Sequence, residues 1–381
     1  MKYRTLGKTG LKVSEIGFGG EWLERHDEDE AVQLVKYAGE KGINIIDCWM
    51  PDPKSRDIIG KGMEGHRDKW IVQGHIGSTY QNGQYVRTRD MKFVVPAFED
   101  ILKRMKTDYI DLGMIHYVDS QEDWDVCMKT DYISYVHRLH DEGVIKHIGL
   151  STHNPRIAKQ AVETGFIEMI LFSINPAFDM RPATEDLDSM FEGYDNADFS
   201  GIDPERAALY SLCEEKNVGI TVMKGFFGGR LFDEKTSPFG VAFTPLKCIH
   251  YSLTRPGVSS ILCGYDTKEQ VDEAVSYENA SAEDKDYASV IAHAPLHSYS
   301  GQCTYCGHCK PCPVNIDIAM VNKFYDLAVQ QPEVPESVSS HYRALGTTAS
   351  ACIGCKSCEG RCPFGVKVSE RMKATAQLFG C

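Results

Sequence analysis

The sequence has no apolar run long enough to cross a bilayer, so a transmembrane helix is not expected. It has no surplus of positive charge either: 41 Lys and Arg stand against 54 Asp and Glu, a formal net charge of -13. An acidic surface repels phosphates and anionic headgroups, so neither nucleic acid nor a membrane is expected as a partner. Met1-Lys-Tyr-Arg-Thr5 leads into a polar turn and not into the apolar stretch of an export signal, so a cytoplasmic protein is expected. A reducing compartment argues against disulfides as the use of the 14 cysteines. A Gly-x-Gly-x-x-Gly turn after the first strand-like run is also missing, because Gly17-Phe-Gly19-Gly20 is followed by Glu21 and Trp22. That absence weighs against an open doubly wound sheet. What remains is an ordinary globular composition, 42% hydrophobic and 25% charged over 381 residues, enough for one large domain and a small one.

Cysteine is present in quantity, and eight of the residues fall in two blocks. The first is Cys303-x2-Cys306-x2-Cys309-x2-Cys312-Pro313 and the second Cys352-x2-Cys355-x2-Cys358-x3-Cys362-Pro363. The second block has the spacing of bacterial ferredoxins, and the first is one residue shorter. Two [4Fe-4S] clusters are implied: tight loops bring successive thiolates to adjacent corners of a cubane and aim the intervening amides at its sulfurs. In that pattern the fourth cysteine usually ligates the other cluster. Cys303, Cys306, Cys309 and Cys362 are therefore expected on one cluster, and Cys352, Cys355, Cys358 and Cys312 on the second. Structural zinc, which uses similar Cys-x2-Cys pairs in fours, is the alternative. Cys48, Cys127, Cys213, Cys248, Cys263 and Cys381 are scattered, and most read as buried free thiols. Exposed low-potential clusters are oxygen-sensitive, which points to an anaerobic host.

The region before the cysteines alternates. Gly7-Lys-Thr-Gly10 predicts a turn in a small N-terminal hairpin. Apolar runs of strand length follow at Val13–Phe18, Ile43–Cys48, Trp70–His75, Ile110–His116, His147–Ser151, Met169–Ile174, Val218–Met223 and Ser259–Cys263. Helical patterns lie between most of them, at Asp29–Lys41, Arg56–Met63, Met91–Met105, Asp131–Glu142, Pro155–Thr164, Pro204–Lys216 and Thr267–Ser276. Eight strands alternating with helices predict an α/β fold, a closed TIM (β/α)8 barrel, followed by a small, mostly helical iron-sulfur domain. The expected division is a barrel over 1–292, a linker over 293–302 and a dicluster domain over 303–381. Ser281–Ala292 predicts one more helix, and Asp317–Ala328 and Pro335–Leu345 predict helices between the cysteine blocks. The acidic insertion from Asn175 to Asp203, with Asp179, Glu185, Asp186, Asp188, Glu192, Asp195 and Asp198, is either a lid over the barrel mouth or a solvated excursion. Gly225–Lys247 reads as a loop at the same rim.

In such a barrel the chemistry sits where the strands end. Those positions hold Asp47, His75, His116, Ser151 and His153, a density of titratable groups for which core packing gives no reason. Together with Thr5-Leu-Gly-Lys-Thr-Gly-Leu-Lys-Val-Ser-Glu-Ile-Gly-Phe-Gly19, Gly42-Ile-Asn-Ile-Ile-Asp47, Asp108-Tyr-Ile-Asp-Leu-Gly-Met-Ile-His116, Gly149-Leu-Ser151 and Gly257-Val-Ser-Ser-Ile-Leu-Cys-Gly264, the sequence resembles the aldo/keto reductase superfamily over most of residues 1–292. The whole chain resembles members fused to a C-terminal ferredoxin-type domain. The resemblance implies a barrel that binds NAD(P)H at its mouth and moves hydride to or from a carbonyl, with an Asp, a Tyr, a Lys and a His as catalytic residues. The Asp falls on Asp47 and the His on His116, whereas Asp52 stands at the Tyr position and His75 at the Lys position. His75, or Tyr80 or Tyr117, is then the candidate replacement for the missing acid. For the nucleotide the resemblance implies Ser151, Gly264, Gln270 and Glu273, with Thr152, Leu171 and Ala274 departing from the pattern.

The leading expectation is an iron-sulfur oxidoreductase acting on a small organic carbonyl or hydroxyl compound, with NAD(P)H, two [4Fe-4S] clusters and an electron-transfer protein as candidate partners. An acid/base or metal-dependent lyase, isomerase or hydrolase at Asp47, His75 and His116 is the alternative, with clusters that only hold structure. A non-catalytic electron carrier on a vestigial barrel is the third reading.

Overall fold

The computed structural model describes residues 1–194, 201–294, 299, 301–330 and 332–381. Eight parallel strands close into a barrel in chain order: Ile16–Gly19, Ile45–Cys48, Ile71–Ile76, Ile110–Ile115, Ile145–Thr152, Met169–Ser173, Gly219–Met223 and Val258–Cys263, with the last pairing to the first. Each overlaps one of the apolar runs. Their near-continuous apolar content is what a sheet buried on both faces requires. Period-2 alternation then decides which side chains point inward. Leu6, Val13, Ile45, Ile71, Leu112, Met114, Met169, Leu171 and Leu262 form the inner core, separate from the larger core between sheet and helices. The inner space is full: a Cβ on Gly149 would lie 2.5 Å from the sulfurs of both Met114 and Met169. The hairpin pairing Tyr3–Thr5 with Lys12–Ser14 places Leu6 and Val13 in this core and closes the end where the strands begin.

The helices leave the opposite end under local control. Four of them, Pro53–Gly62, Pro155–Glu163, Pro204–Glu215 and Pro245–Leu253, start with proline behind a side-chain cap supplied by Asp52, Asn154, Asp203 and Thr244. Met91–Met105 buries Val94, Phe98, Ile101 and Met105 against the sheet, a three-to-four-residue spacing that puts them on one helix face.

The structure corrects several expectations. A second hairpin, Ser78–Gln81 with Gln84–Arg87, follows the third strand. Its turn is Asn82-Gly83, with φ of 52° and 80°, the pair of left-handed residues that favours Asn-Gly there. The helix expected over Ser281–Ala292 forms only at Tyr287–Ala292, because Ser281 binds Asp284 in a turn and Asp286 caps the later start. The rim loop that begins at Gly225 ends at Thr244, where the helix Pro245–Leu253 begins. Within the acidic insertion, Pro176–Asp179 is a short helix, and Asp195 and Asp198 lie outside the described residues. Asp179 is not on a solvated face: it is fully buried and accepts hydrogen bonds from the hydroxyls of Tyr210 and Tyr251.

The cysteine region carries helices Ile318–Val329, Glu336–Arg343 and Val368–Phe379, the last unexpected. It meets the barrel along the flank and near the end where the strands begin, and Tyr299 and Gln302 also reach the segment that follows the sixth strand. Arg255, in the turn before the eighth strand, donates to the Thr304 carbonyl, as does the Tyr287 hydroxyl. Lys323 pairs with Glu214, and the Tyr299 hydroxyl donates to the Pro176 carbonyl. Of the linker expected over 293–302, residues 295–298 and 300 lie outside the described residues. Among the described residues, no helix is long and apolar enough to cross a membrane.

Candidate active site

Strand register brings the polar residues together. Asp47 lies opposite Gln73 on the neighbouring strand, and His75 stands two residues further on the same inward face. The His116 amide donates to the Ile76 carbonyl, which sets that residue just past the end of the fourth strand. All four side chains are buried. They form one chain of hydrogen bonds. Asp47 Oδ1 accepts from Gln73 Nε2 and from His75 Nε2, each at 2.9 Å. His75 Nδ1 meets His116 Nδ1 at 2.7 Å, and His116 Nε2 meets the Tyr85 hydroxyl at 2.8 Å.

The proton positions follow from the carboxylate. An ionised Asp47 only accepts, so His75 carries its proton on Nε2 and accepts at Nδ1. His116 then donates from Nδ1 and accepts at Nε2, and the Tyr85 O–H points to it. Burial, with the Arg89 and Arg87 guanidiniums adding to it, holds His116 well below the usual imidazole range, consistent with a neutral ring. Burial pushes the Tyr85 phenol up to about 12. Trp49 stacks parallel to His116 with ring centres 6.0 Å apart, and Tyr85 packs edge-on against Trp49.

These groups border a cleft of about 400 Å³ at the barrel mouth. Its walls include Asp47, His75, Tyr85, His116, Ser151, His153 and Gly264 from the strand ends and the hairpin. Leu171, Leu187, Met223, Phe226 and Leu262 supply apolar surface, and Leu187 brings the acidic insertion to the rim. Glu21 and Lys224 also border it; burial raises the Glu21 carboxyl, and Lys224 opposes that rise.

Tyr85 was not foreseen, and Tyr80, one of the tyrosines that was, faces Asp52 instead. Asp52 does not border the cleft: its carboxylate accepts from the Lys54 amide at 2.8 Å and caps a helix. Among the described residues, no group of three or more His, Cys, Asp or Glu side chains is arranged to hold a single metal ion. At the rim the reason is plain, since the facing nitrogens of His75 and His116 are turned onto each other.

The aldo/keto reductase family model matches residues 15–247, which contain the barrel through its seventh strand and every residue of this hydrogen-bonded chain. The chain belongs to the aldo/keto reductase family. It is 25% identical over 292 residues to the uncharacterized oxidoreductase YqkF of Bacillus subtilis (strain 168), covering 74% of this chain and 92% of that protein. It is 24% identical over 306 residues to L-galactose dehydrogenase of Arabidopsis thaliana, covering 72% and 88%. The solved structure of aldo-keto reductase AKR11C1 from Bacillus halodurans, in its holo form, shares the fold with a TM-score of 0.59 and 23% identity, over 78% of this chain and 98% of that one. An aldo/keto reductase barrel that is an oxidoreductase is thus joined to a second unit, since a 4Fe-4S dicluster domain model matches residues 302–367.

In this family member the two cysteine blocks have matching backbones. The residue before the second cysteine, Tyr305 or Gly354, and the residue after it, Gly307 or Lys356, are left-handed in both, with φ of 59° and 68°, and of 85° and 60°. Such reversals turn amides toward one side of a loop and make a concavity for anions, including cluster sulfides. Cys312, Cys352, Cys355 and Cys358 border one cavity, with Ile316, Ile353 and Met372. The Gly301 amide donates to the Phe364 carbonyl and draws the start of the first block toward the end of the second. Four thiols around one cavity, in a segment that the 4Fe-4S dicluster model matches, fit an iron-sulfur cluster. Of the other cysteines, Cys48, Cys127, Cys213, Cys248 and Cys263 are buried, and burial raises all five thiols.

Of the residues expected to hold a nucleotide, Ser151 and Gly264 border the cleft. Gln270 and Glu273 lie exposed on the helix Lys268–Ser276, and the Gln270 side chain is used by the Asp266 amide. Thr152 donates its hydroxyl to Asp119 and does not border the cleft.

Proposed function

We propose that this aldo/keto reductase interconverts a small carbonyl compound and its alcohol, with Tyr85 as the residue that exchanges a proton with the substrate oxygen. The observation that carries this reading is the unbroken chain Tyr85–His116–His75–Asp47 bordering the cleft. With its O–H held by His116 Nε2, Tyr85 presents its oxygen lone pairs to a substrate hydroxyl. Accepting the substrate proton lets Tyr85 pass its own to His116 Nε2, while the His116 Nδ1 proton moves to His75 and the His75 Nε2 proton to Asp47. No ring need hold a lasting charge, which suits groups buried this deeply. Reduction runs the same path in reverse, from an Asp47 that has taken up a proton from solvent through the cleft, and delivers the proton to the carbonyl oxygen. Trp49 and the apolar wall formed by Leu171, Met223 and Leu262 exclude water from the reacting face. His75 and Tyr85 thereby share the work of the Lys and Tyr that the family pattern leads one to expect.

Ser151 and Gly264 support NAD(P)H as the cofactor, which when bound supplies or accepts the hydride. We assign Cys312, Cys352, Cys355 and Cys358 to one [4Fe-4S] cluster, and Cys303, Cys306, Cys309 and Cys362 to the other. The shared cavity of the first set supports that pairing. The clusters, when bound, carry electrons singly, and Cys355 lies exposed, which favours exchange with an outside electron-transfer protein.

The test is an anaerobic titration of the cluster-loaded protein with NADH and then NADPH, followed by addition of short aldehydes, ketones and hydroxyketones. Quenching or enhancement of nicotinamide fluorescence, followed by carbonyl-dependent oxidation, is the expected result. Binding of neither nucleotide sinks the reading.

A further inference from the structure

His153 stands on the inward face of the fifth strand's exit, borders the cleft and is 93% buried, with 7% of its surface exposed. Its Nδ1 meets Asp119 Oδ2 at 2.8 Å. Asp119 is held firmly as an acceptor: its Oδ1 also takes the His153 amide at 2.7 Å and the Thr152 hydroxyl at 2.9 Å. A carboxylate so placed fixes the imidazole proton on Nδ1 and leaves Nε2 as an acceptor. Tyr117 packs edge-on to both His116 and His153, so the two histidines border the same cleft from either side of one ring. His153 Nε2 is buried and has no hydrogen-bond partner in the protein.

A buried acceptor left without a donor is costly, and native proteins rarely keep one. Every other side-chain polar atom of this Asp119–His153 pair is satisfied, so the vacancy is not the result of a loosely packed corner. It also does not belong to the proton chain on the Tyr85 side, which is complete without it.

We propose that His153 Nε2 is the acceptor for a ligand hydrogen-bond donor in the cleft, held in the accepting tautomer by Asp119 as a positioning residue. The inference rests on the cleft being the ligand site, as in the reading above. Two ligand groups carry the donor it needs: the amide N–H of a nicotinamide carboxamide, and a second hydroxyl on the substrate. The first accounts for the cofactor grip that Thr152 no longer gives, since its hydroxyl is committed to Asp119. The second makes the enzyme selective for hydroxycarbonyls or diols over simple ketones.

Nitrogen-15 NMR of the cluster-loaded full chain separates the sources, with the His153 signal assigned by its loss in His153→Phe. NADPH is one probe and hydroxyacetone the other, with acetone as the control lacking the hydroxyl. The Nε2 resonance is expected to move upfield, as an accepting nitrogen does, with one probe and not with acetone. For that probe the dissociation constant rises at least tenfold in His153→Phe, while His153→Gln, which keeps an acceptor, stays within about threefold. An unmoved resonance with both probes overturns the proposal, as does unchanged affinity for both in His153→Phe. Because the resonance reports binding alone, absence of carbonyl turnover, which counts against the Tyr85 reading, leaves this outcome legible.

Discussion

At the barrel mouth, reactive side chains are held by one another: Asp47, Gln73, His75, His116 and Tyr85 come from four separate segments and are joined by side-chain hydrogen bonds. In the cysteine domain the thiols come from two short loops whose shape is set by backbone, with left-handed residues at matching positions. The first site is assembled across the fold and depends on strand register, while each loop of the second takes its shape within a few residues. That difference predicts how each responds to damage. A local loop loses its cargo when one ligand is removed, whereas a cross-strand chain keeps its structure and loses its proton path.

The largest expected effect is therefore in the cysteine domain. Cys358→Ala should remove one cluster outright, halving the iron and acid-labile sulfide per chain. The informative variant is Cys312→Ser: if the cavity it shares with the second block holds a cluster, this change should give the same spectroscopic loss as Cys358→Ala, although Cys312 belongs to the first block. Loss of the other cluster's electron paramagnetic resonance signal would show that each block closes its own site.

Next comes the proton chain. Tyr85→Phe removes a hydroxyl and little volume, so folding should survive while kcat falls about 10²–10⁴-fold, the usual contribution of one positioned acid/base group. His116→Ala should fall as far, and the double variant little further, because the two act as one unit. Additive losses in the double variant would mean that Tyr85 and His116 serve separate steps. Stopped-flow oxidation of NADPH with the best carbonyl found above is the measurement.

The contrast also explains what could be read before the fold was known. Cluster spacing, barrel strands and the rim positions Asp47, His75 and His116 were legible because each is a local pattern or follows from a period of two. Tyr85 was not, since it reaches His116 from a hairpin inserted after the third strand, and only Asn82-Gly83 announces that hairpin. Asp52 was misleading for the opposite reason: its place in the sequence matched a catalytic position, but Asp-Pro at a helix start is first of all a cap. His153 was noticed as a strand-end residue, yet its vacant nitrogen depends on Asp119, 34 positions earlier.

Where the two regions meet, acid should loosen the barrel. His250, hydrogen-bonded to the Tyr277 hydroxyl at 2.9 Å and packed by Tyr287, is held down to about 4, chiefly by burial and then by Lys285. The folded chain thus keeps this ring neutral between pH 6.5 and 4, where the unfolded chain protonates it. The unfolded state binds more protons there, so stability falls as pH drops through that window, by at most about 3 kcal/mol. His116 adds a loss of the same sign. Urea midpoints taken from pH 7.5 to 5.5 should fall more steeply in the native chain than in His250→Gln. Parallel slopes would place the acid sensitivity elsewhere.

The smallest effect tests the boundary of the cleft itself. Asp52 caps the helix Pro53–Gly62 through the Lys54 amide, sits beside the hydroxyl of Tyr80, the residue paired with Tyr85 across the hairpin, and does not border the cleft. Asp52→Ala should cost about 1 kcal/mol, the ordinary worth of an N-cap, and Asp52→Ser should restore most of it. Because this helix leaves the second strand directly after the Asp47 segment, a frayed start is felt as lower stability and not as a changed proton path. Turnover measured well below the melting transition should stay within about twofold for both variants. If Asp52→Ala instead slows turnover as severely as Tyr85→Phe, then Asp52 acts in the cleft during catalysis.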